Sequence, residues 1–226
     1  LRAGELESAR ANQNRAIEFA LLLTLPAAAA LLVSAWPIIA VLFQRGAFGW
    51  EAVDRTATTL TAFATGLPAY VLIKALSPGF FAREDMTTPV KIGVASMVVN
   101  IALAASLMLP LEHVGIAIAT AVSSWVNAIA LGIVLWRRGF LAPDARLRQR
   151  LPRILVATAT MAAALYALQL YLEPWFRGAS IGRAGALVLL IAAGLGIYGL
   201  ACLVLGAARL SDVKAALRRK AGPANT

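Results

Sequence analysis

Six stretches without a single Asp, Glu, Lys or Arg govern what this chain can fold into: residues 19–44, 56–73, 92–111, 114–136, 154–172 and 184–208. The shortest has 18 residues and the longest 26. An α-helix rises 1.5 Å per residue, so about 20 apolar residues cross the roughly 30 Å hydrocarbon core of a bilayer, and every stretch qualifies. The second continues past Lys74 toward Phe81. Strands of a membrane barrel would alternate apolar and polar residues over about ten positions, a pattern this sequence lacks. The expected fold is therefore all-α, a polytopic membrane helix bundle with six transmembrane helices. Composition agrees: 60% of the residues are apolar and 14% charged, against about 45–50% and about 25% in soluble domains. A water-soluble globular enzyme is excluded on that ground.

The basic residues set the direction of the spans. Six crossings put the N-terminus, residues 74–91, residues 137–153 and the tail on one side. That side holds 17 of the 21 Lys and Arg residues, leaving Arg45, Arg55, Arg177 and Arg183 on the other. Short cytoplasmic loops are enriched in Lys and Arg, so both ends are expected in the cytoplasm. The net charge of +10 is accounted for in the same way. The basic residues lie in clusters between apolar runs, which argues for membrane orientation and against nucleic acid as a partner. The polar first 18 residues lack the basic, then apolar, then cleavable order of a signal peptide, and the chain begins at Leu1. It is expected to be part of a longer membrane protein.

Several segments carry possible chemistry. Residues 137–153 include Arg137, Arg138, Arg146, Arg148, Arg150 and Arg153, interleaved with Phe140, Leu141, Leu147 and Leu151. A helix beginning after Pro143 would be basic and amphipathic, suited to lie on anionic membrane lipids, each basic residue contributing about 1 kcal/mol. The tail after Ser211 reads as a shorter anchor. Between the second and third spans, Pro78-Gly79 should break the helix, and Thr87 or Thr88 before Pro89 suits an N-cap. Arg83-Glu84-Asp85 there is either an ordinary charged turn or, with Lys74 and Lys91, part of a gate or substrate path. Lys74 either snorkels to the interface or faces an aqueous cavity. Asn100 and Asn127 lie within spans and need interhelical partners.

Enzymatic chemistry finds little support. Cys202, the only cysteine, lies in the last apolar stretch and reads as a small buried hydrophobe. His113, the only histidine, sits in a polar break beside Glu112. No metal site or cofactor is expected from this set. The outward loops are too short to present paired catalytic acids, and no carboxylate lies deep in a span.

Two motifs carry a family resemblance. Leu42-Phe43-Gln44-Arg45-Gly46-Ala47-Phe48 resembles an LFxRGxF stretch of the MurJ (MviN) family. Lys74-x-Leu76-x-Pro78-Gly79-Phe80-Phe81-Ala82-Arg83-x-Asp85-x-x-Thr88-Pro89-Val90-Lys91 is similar to that family's segment between its tenth and eleventh helices. The resemblance implies helices nine to fourteen of a fourteen-helix lipid II flippase of the MOP exporter superfamily, in the bacterial inner membrane. The implied substrate is lipid II, undecaprenyl-pyrophosphoryl disaccharide-pentapeptide, carried outward for peptidoglycan synthesis by alternating access between two lobes. Residues 1–136 would then complete the second lobe, 137–153 would be a cytoplasmic linker, and 154–226 would supply two helices forming a lipid-tail groove. The partner of this half would be the missing N-terminal lobe. A related exporter of other lipid-linked sugars or of small molecules is the alternative, and a non-transporting scaffold the third. Some family members bind sodium through an Asn, an Asp one turn later, a Thr and a carbonyl. Asn100, Thr120 and Ile116 match, but Ala104 stands where the acid would be, so Asn100 and Thr120 are expected to bond each other rather than an ion.

Overall fold

The computed structural model describes residues 3–178 and 180–207. Their elements, in order, are α1 (Ala3–Phe43), α2 (Trp50–Leu76), α3 (Pro78–Phe81), α4 (Thr87–Arg137), α5 (Ala145–Phe176) and α6 (Ser180–Val204). Among the described residues five helices are long and apolar enough to cross a membrane, against six expected. The difference lies in α4. Its 51 residues would reach about 76 Å if straight, over twice a bilayer core. Glu112 departs from helical geometry at φ 49°, ψ −131°, and there the chain doubles back. Gly115 is needed in that reversal because a Cβ would overlap the Leu107 carbonyl. Across the two halves, Asn100 donates to Ser123 Oγ at 3.0 Å. The third and fourth expected spans are thus the two arms of one hairpin, 87–111 and 113–137.

The N-terminal polar residues do not form a separate segment, because α1 starts at Ala3 and runs through the first span. Its polar turns project beyond the membrane-length stretch and pack on the connections at that end of the bundle. Ile17 and Leu21 of α1 form a core there with Leu76, Phe80, Leu131, Leu135 and Leu147. The break before Pro78 is shallow: Ser77 keeps helical backbone angles, and α2 with α3 reads as one crossing, Trp50–Phe81. α2 lies close against α4, where a Cβ on Gly66 would come within 2.8 Å of Ala121 Cα.

α5 begins after Pro143 as expected, with Asp144 capping it by accepting the Leu147 N–H at 2.7 Å. It then continues to Phe176 with no separate surface helix. Leu147 is buried in the core, with Phe140, Leu141 and Leu151 packed against it. The interleaved apolar residues therefore face protein, where a membrane-lying helix would turn them to lipid. Farther along, Met161, Leu165 and Leu172 of α5 pack with Ala186, Leu187 and Leu190 of α6 and with part of α1. Cys202 is buried beside Ile154 and Ala157, as its sequence position suggests.

The contacts sort the connections into two ends. Residues near 10–18, 75–88, 138–153 and 206 meet at one end. Residues 36–55, 112 and 177–183 meet at the other. This is the alternation that the six spans require.

Candidate functional site

At the basic end, the segment after α3 is built around Asp85. Its Oδ1 accepts the Thr88 N–H at 2.9 Å and its Oδ2 the Thr88 hydroxyl at 2.7 Å. The helix cap is therefore Asp85 acting from before the helix, a correction to the expectation that Thr87 or Thr88 would cap it. An aspartate can satisfy an orphan backbone N–H in the first turn while its charge favours that positive end. Arg138 joins the same carboxylate at 2.5 Å and reaches Thr88 Oγ1 at 3.1 Å. The Thr88 hydroxyl, then its N–H, then Arg138 hold the Asp85 carboxyl well below the usual carboxylate range.

Arg83 faces the same connection from the other side. It donates to the Gly79 carbonyl at 2.5 Å, and its guanidinium lies 3.9 Å from the centre of the Phe140 ring. Two neighbouring contacts, Arg83 on Phe140 and Asp85 on Arg138, thus tie the 82–86 turn to the start of the 137–153 connection. Lys74 and Lys91 do not join them. Lys74 is exposed with its ammonium 4.6 Å from the Tyr70 ring, and Lys91 is exposed. Arg138, one of the arginines expected at the lipid surface, pairs with Asp85.

A second charged centre was not legible in advance. Glu18, only 3% exposed, accepts Arg146 Nε at 3.0 Å and also Arg150 Nη1. Burying a carboxylate is costly unless it is paired, and here two guanidiniums from successive turns of α5 enclose it. Around it Asn14 donates to the Ala142 carbonyl at 2.7 Å, Gln13 to the Ala75 carbonyl at 2.6 Å, and Arg10 to the Gly139 carbonyl. The polar turns of α1 are thereby fixed to the basic connection. Arg137, Arg148 and Arg153 remain exposed. The tail residues Arg209, Lys214, Arg218, Arg219 and Lys220, and Arg2, lie outside the described residues.

Asn100 and Thr120 do meet. Asn100 Nδ2 donates to Thr120 Oγ1 at 3.3 Å and to Ser123 Oγ at 3.0 Å, while Thr120 Oγ1 donates to the Ile116 carbonyl at 2.9 Å. Ser123, 7% exposed, is a member of this group that family matching overlooked. Asn127 differs: its buried Oδ1 has no partner among the described residues.

Within the membrane-length region, α1, α5 and α6 enclose an apolar groove of about 280 Å³. Pro26 and Ala30 of α1, Met161 and Leu165 of α5, and Leu190 and Gly194 of α6 line it. Gly194 keeps the wall thin, since a Cβ there would press on Leu165 at 3.3 Å. Tyr198 closes one end by donating its hydroxyl to the Leu22 carbonyl at 2.6 Å. At the opposite end of the bundle, Trp36 and Trp50 stack with centroids 5.7 Å apart. Asp54 accepts the Trp36 indole N–H at 2.6 Å, and Arg183 lies over Trp50 while bonding Gln44 at 2.5 Å.

The family model described as "Lipid II flippase MurJ" matches residues 2–183. A protein of Rhizobium meliloti (strain 1021) named "Probable lipid II flippase MurJ" is 45% identical over 223 residues, 98% of this chain and 42% of that protein. The protein of the same name from Rhizobium tropici is 39% identical, covering 97% and 42%. The chain thus spans about two fifths of the length of these curated relatives. Among solved structures, "Lipid II flippase MurJ, inward closed conformation" superposes with a TM-score of 0.71 at 20% identity, covering 88% of this chain and 39% of that one. That likeness establishes the fold.

Proposed function

From the membership of this chain in the MurJ lipid II flippase family, we propose that it forms the second half of a flippase acting on lipid II in a bacterial inner membrane. The observation that carries this reading is the family match over residues 2–183. The apolar groove between α1, α5 and α6 supports it physically. An undecaprenyl chain is a long hydrocarbon, and a membrane-depth groove lined by Leu, Ile, Met and Ala side chains suits it. The pyrophosphate and sugars would be held in the part of the protein that lies outside these residues.

Alternating access would need two lobes facing a central site, so residues 1–226 alone should not flip lipid II. In this reading both ends of the chain and residues 137–153 are cytoplasmic, and the 17 basic residues of that side set the orientation. The Arg83–Asp85 turn and its ties to Phe140 and Arg138 form a cytoplasmic gate. An exposed ion pair such as Asp85–Arg138 is weak and can break and reform within a transport cycle. Lys74 and Lys91 flank the gate at its rim. Exposed Arg137 and Arg148 hold this face against anionic lipids.

Complementation of a flippase-depleted strain by the natural full-length protein tests the proposal. Ala30→Trp, which fills the groove, should reduce rescue at unchanged membrane expression. Val188→Trp on the exposed face of α6 should not. Full rescue by Ala30→Trp, or failure of the unaltered protein to rescue, would overturn the reading.

A further inference from the structure

α6 is tied to α1 at both ends of the apolar groove. At the far end Arg183, early in α6, bonds Gln44 just beyond α1. At the basic end Tyr198 of α6 donates to the Leu22 carbonyl of α1 at 2.6 Å. Ser34 and Tyr198 are the polar side chains of the lining. Ser34 Oγ has no partner among the described residues, whereas Tyr198 reaches across to the opposite wall.

A proline makes that bond available. Pro26 has no N–H, so the Leu22 carbonyl, four residues earlier, lacks the donor that an unbroken helix would supply. Water does not replace it at membrane depth, and an unpaired carbonyl there is costly. Tyr198 provides the donor from another helix. A second acceptor stands beside it. Thr158 of α5 lies against the Tyr198 hydroxyl and is 8% exposed. Its neighbour Thr160 donates to the Val156 carbonyl of its own helix at 2.9 Å, as helical threonines commonly do. Thr158 Oγ1 has no hydrogen-bond partner among the described residues. The phenol therefore sits between an acceptor on α1 and another on α5, and its bond to α1 bars the basic end of the groove. A hydrocarbon chain whose phosphate lies at that end must pass the bar to lie along the groove.

We infer that Tyr198 is a latch on the basic mouth of the groove, bonding Leu22 while the groove is empty and turning to Thr158 when the chain of a polyprenyl phosphate lipid enters. The inference rests on the groove being where such a chain lies, as proposed above. Tyr198 and Thr158 act through the width of the mouth and are positioning residues. The fraction of molecules with the latch released then scales the apparent affinity for the chain.

The test titrates undecaprenyl phosphate onto the natural full-length protein in detergent, with adducts counted by native mass spectrometry. Tyr198→Phe removes the latch and keeps the ring, so it should tighten binding by about fivefold, the equivalent of one net hydrogen bond. A side chain that only lined the groove would give no such gain. Thr158→Val removes the acceptor of the released state and should weaken binding by about the same factor. In the Tyr198→Phe background, Thr158→Val should have no further effect. Tyr166→Phe, on the exposed face of α5, should leave the affinity unchanged. Unchanged or weaker binding by Tyr198→Phe, or an equal effect of Thr158→Val in both backgrounds, would overturn the latch. Ala30→Trp separates this inference from the reading beneath it. Binding undiminished by Ala30→Trp would overturn the groove as the site of the chain, and the latch with it. Binding lost in Ala30→Trp with no gain from Tyr198→Phe would overturn the latch alone.

Discussion

Removing the Glu18 carboxylate should be among the most damaging single changes in this chain. Glu18 is 3% exposed and bonds Arg146, whose side chain is 36% exposed, and Arg150, whose side chain is 10% exposed. At 3.0 Å and an effective dielectric of about 20, a unit charge pair gains roughly 5.5 kcal/mol before desolvation. Much of that gain offsets burial in the intact protein. Glu18→Ala withdraws it while the Arg150 guanidinium stays buried, and breaking a buried pair from one side costs about 3–5 kcal/mol. The expected loss is about 3 kcal/mol, a change of roughly 150-fold in the unfolding equilibrium. Glu18→Gln keeps an oxygen acceptor without the charge and should fall between Glu18→Ala and the unaltered protein. Asp85→Ala is the comparison, because it removes a part-exposed helix cap and a partner of Arg138, itself 43% exposed, and should cost less than loss of the buried centre. Equilibrium unfolding of the full-length protein in mixed micelles measures all three. A loss from Glu18→Ala no larger than that from Asp85→Ala would refute the claim that burial makes this centre structural.

Other outcomes follow from the same contacts. An impermeant maleimide should label Ala47→Cys and spare Ala142→Cys in intact spheroplasts, and the reverse pattern would invert the proposed orientation. In the full-length protein, Arg83→Ala should impair complementation more than Arg218→Ala at equal expression, since Arg83 holds Phe140; equal, near-normal rescue would leave the turn without a gating role. The depressed Asp85 carboxyl makes its stabilising contribution fully present above the ordinary aspartate value of 3.8 and lost only as pH falls below it. Amide-exchange protection at Thr88, corrected for the intrinsic rate, should therefore be the same at pH 7 and pH 5, and a drop across that interval would contradict the assignment. Sodium replacing choline at constant ionic strength should leave the melting temperature unchanged. An ion at 100 times its dissociation constant would add about 2.7 kcal/mol, so a saturable rise abolished by Asn100→Ala would show that the neutral oxygens here do bind it.

The crossings were legible because their signal is cumulative: long uncharged runs separated by basic residues leave only helices as a way to satisfy the backbone in lipid. The hairpin of α4 was visible as a two-residue polar break at Glu112-His113. What placed the reversal was local, since Gly115 alone permits the close approach to Leu107. The extent of α1 was not legible. The polar residues before Phe19 carry little apolar periodicity, and their helix is secured by tertiary bonds such as Asn14 to Ala142 and Gln13 to Ala75. Tertiary contacts of this sort override local composition routinely.

The arginines of residues 137–153 show why charge counts locate an interface better than they assign roles. Each of the six satisfies the same orientation rule, and a count treats them alike. The fold separates them by what lies opposite: Asp85 for Arg138, Glu18 for Arg146 and Arg150, the Gly206 carbonyl for Arg153. Asp85 and Glu18 lie 53 and about 130 residues away along the chain, so no window on the sequence contains both partners. Asn100 and Thr120 were legible as a pair because the family resemblance put an Asn and a Thr on adjoining helices, whereas Ser123 required the register of the two α4 arms. A side chain's role in this bundle follows from the partner that the opposite helix brings to it, and helix-to-helix register is the quantity that hydropathy leaves undetermined.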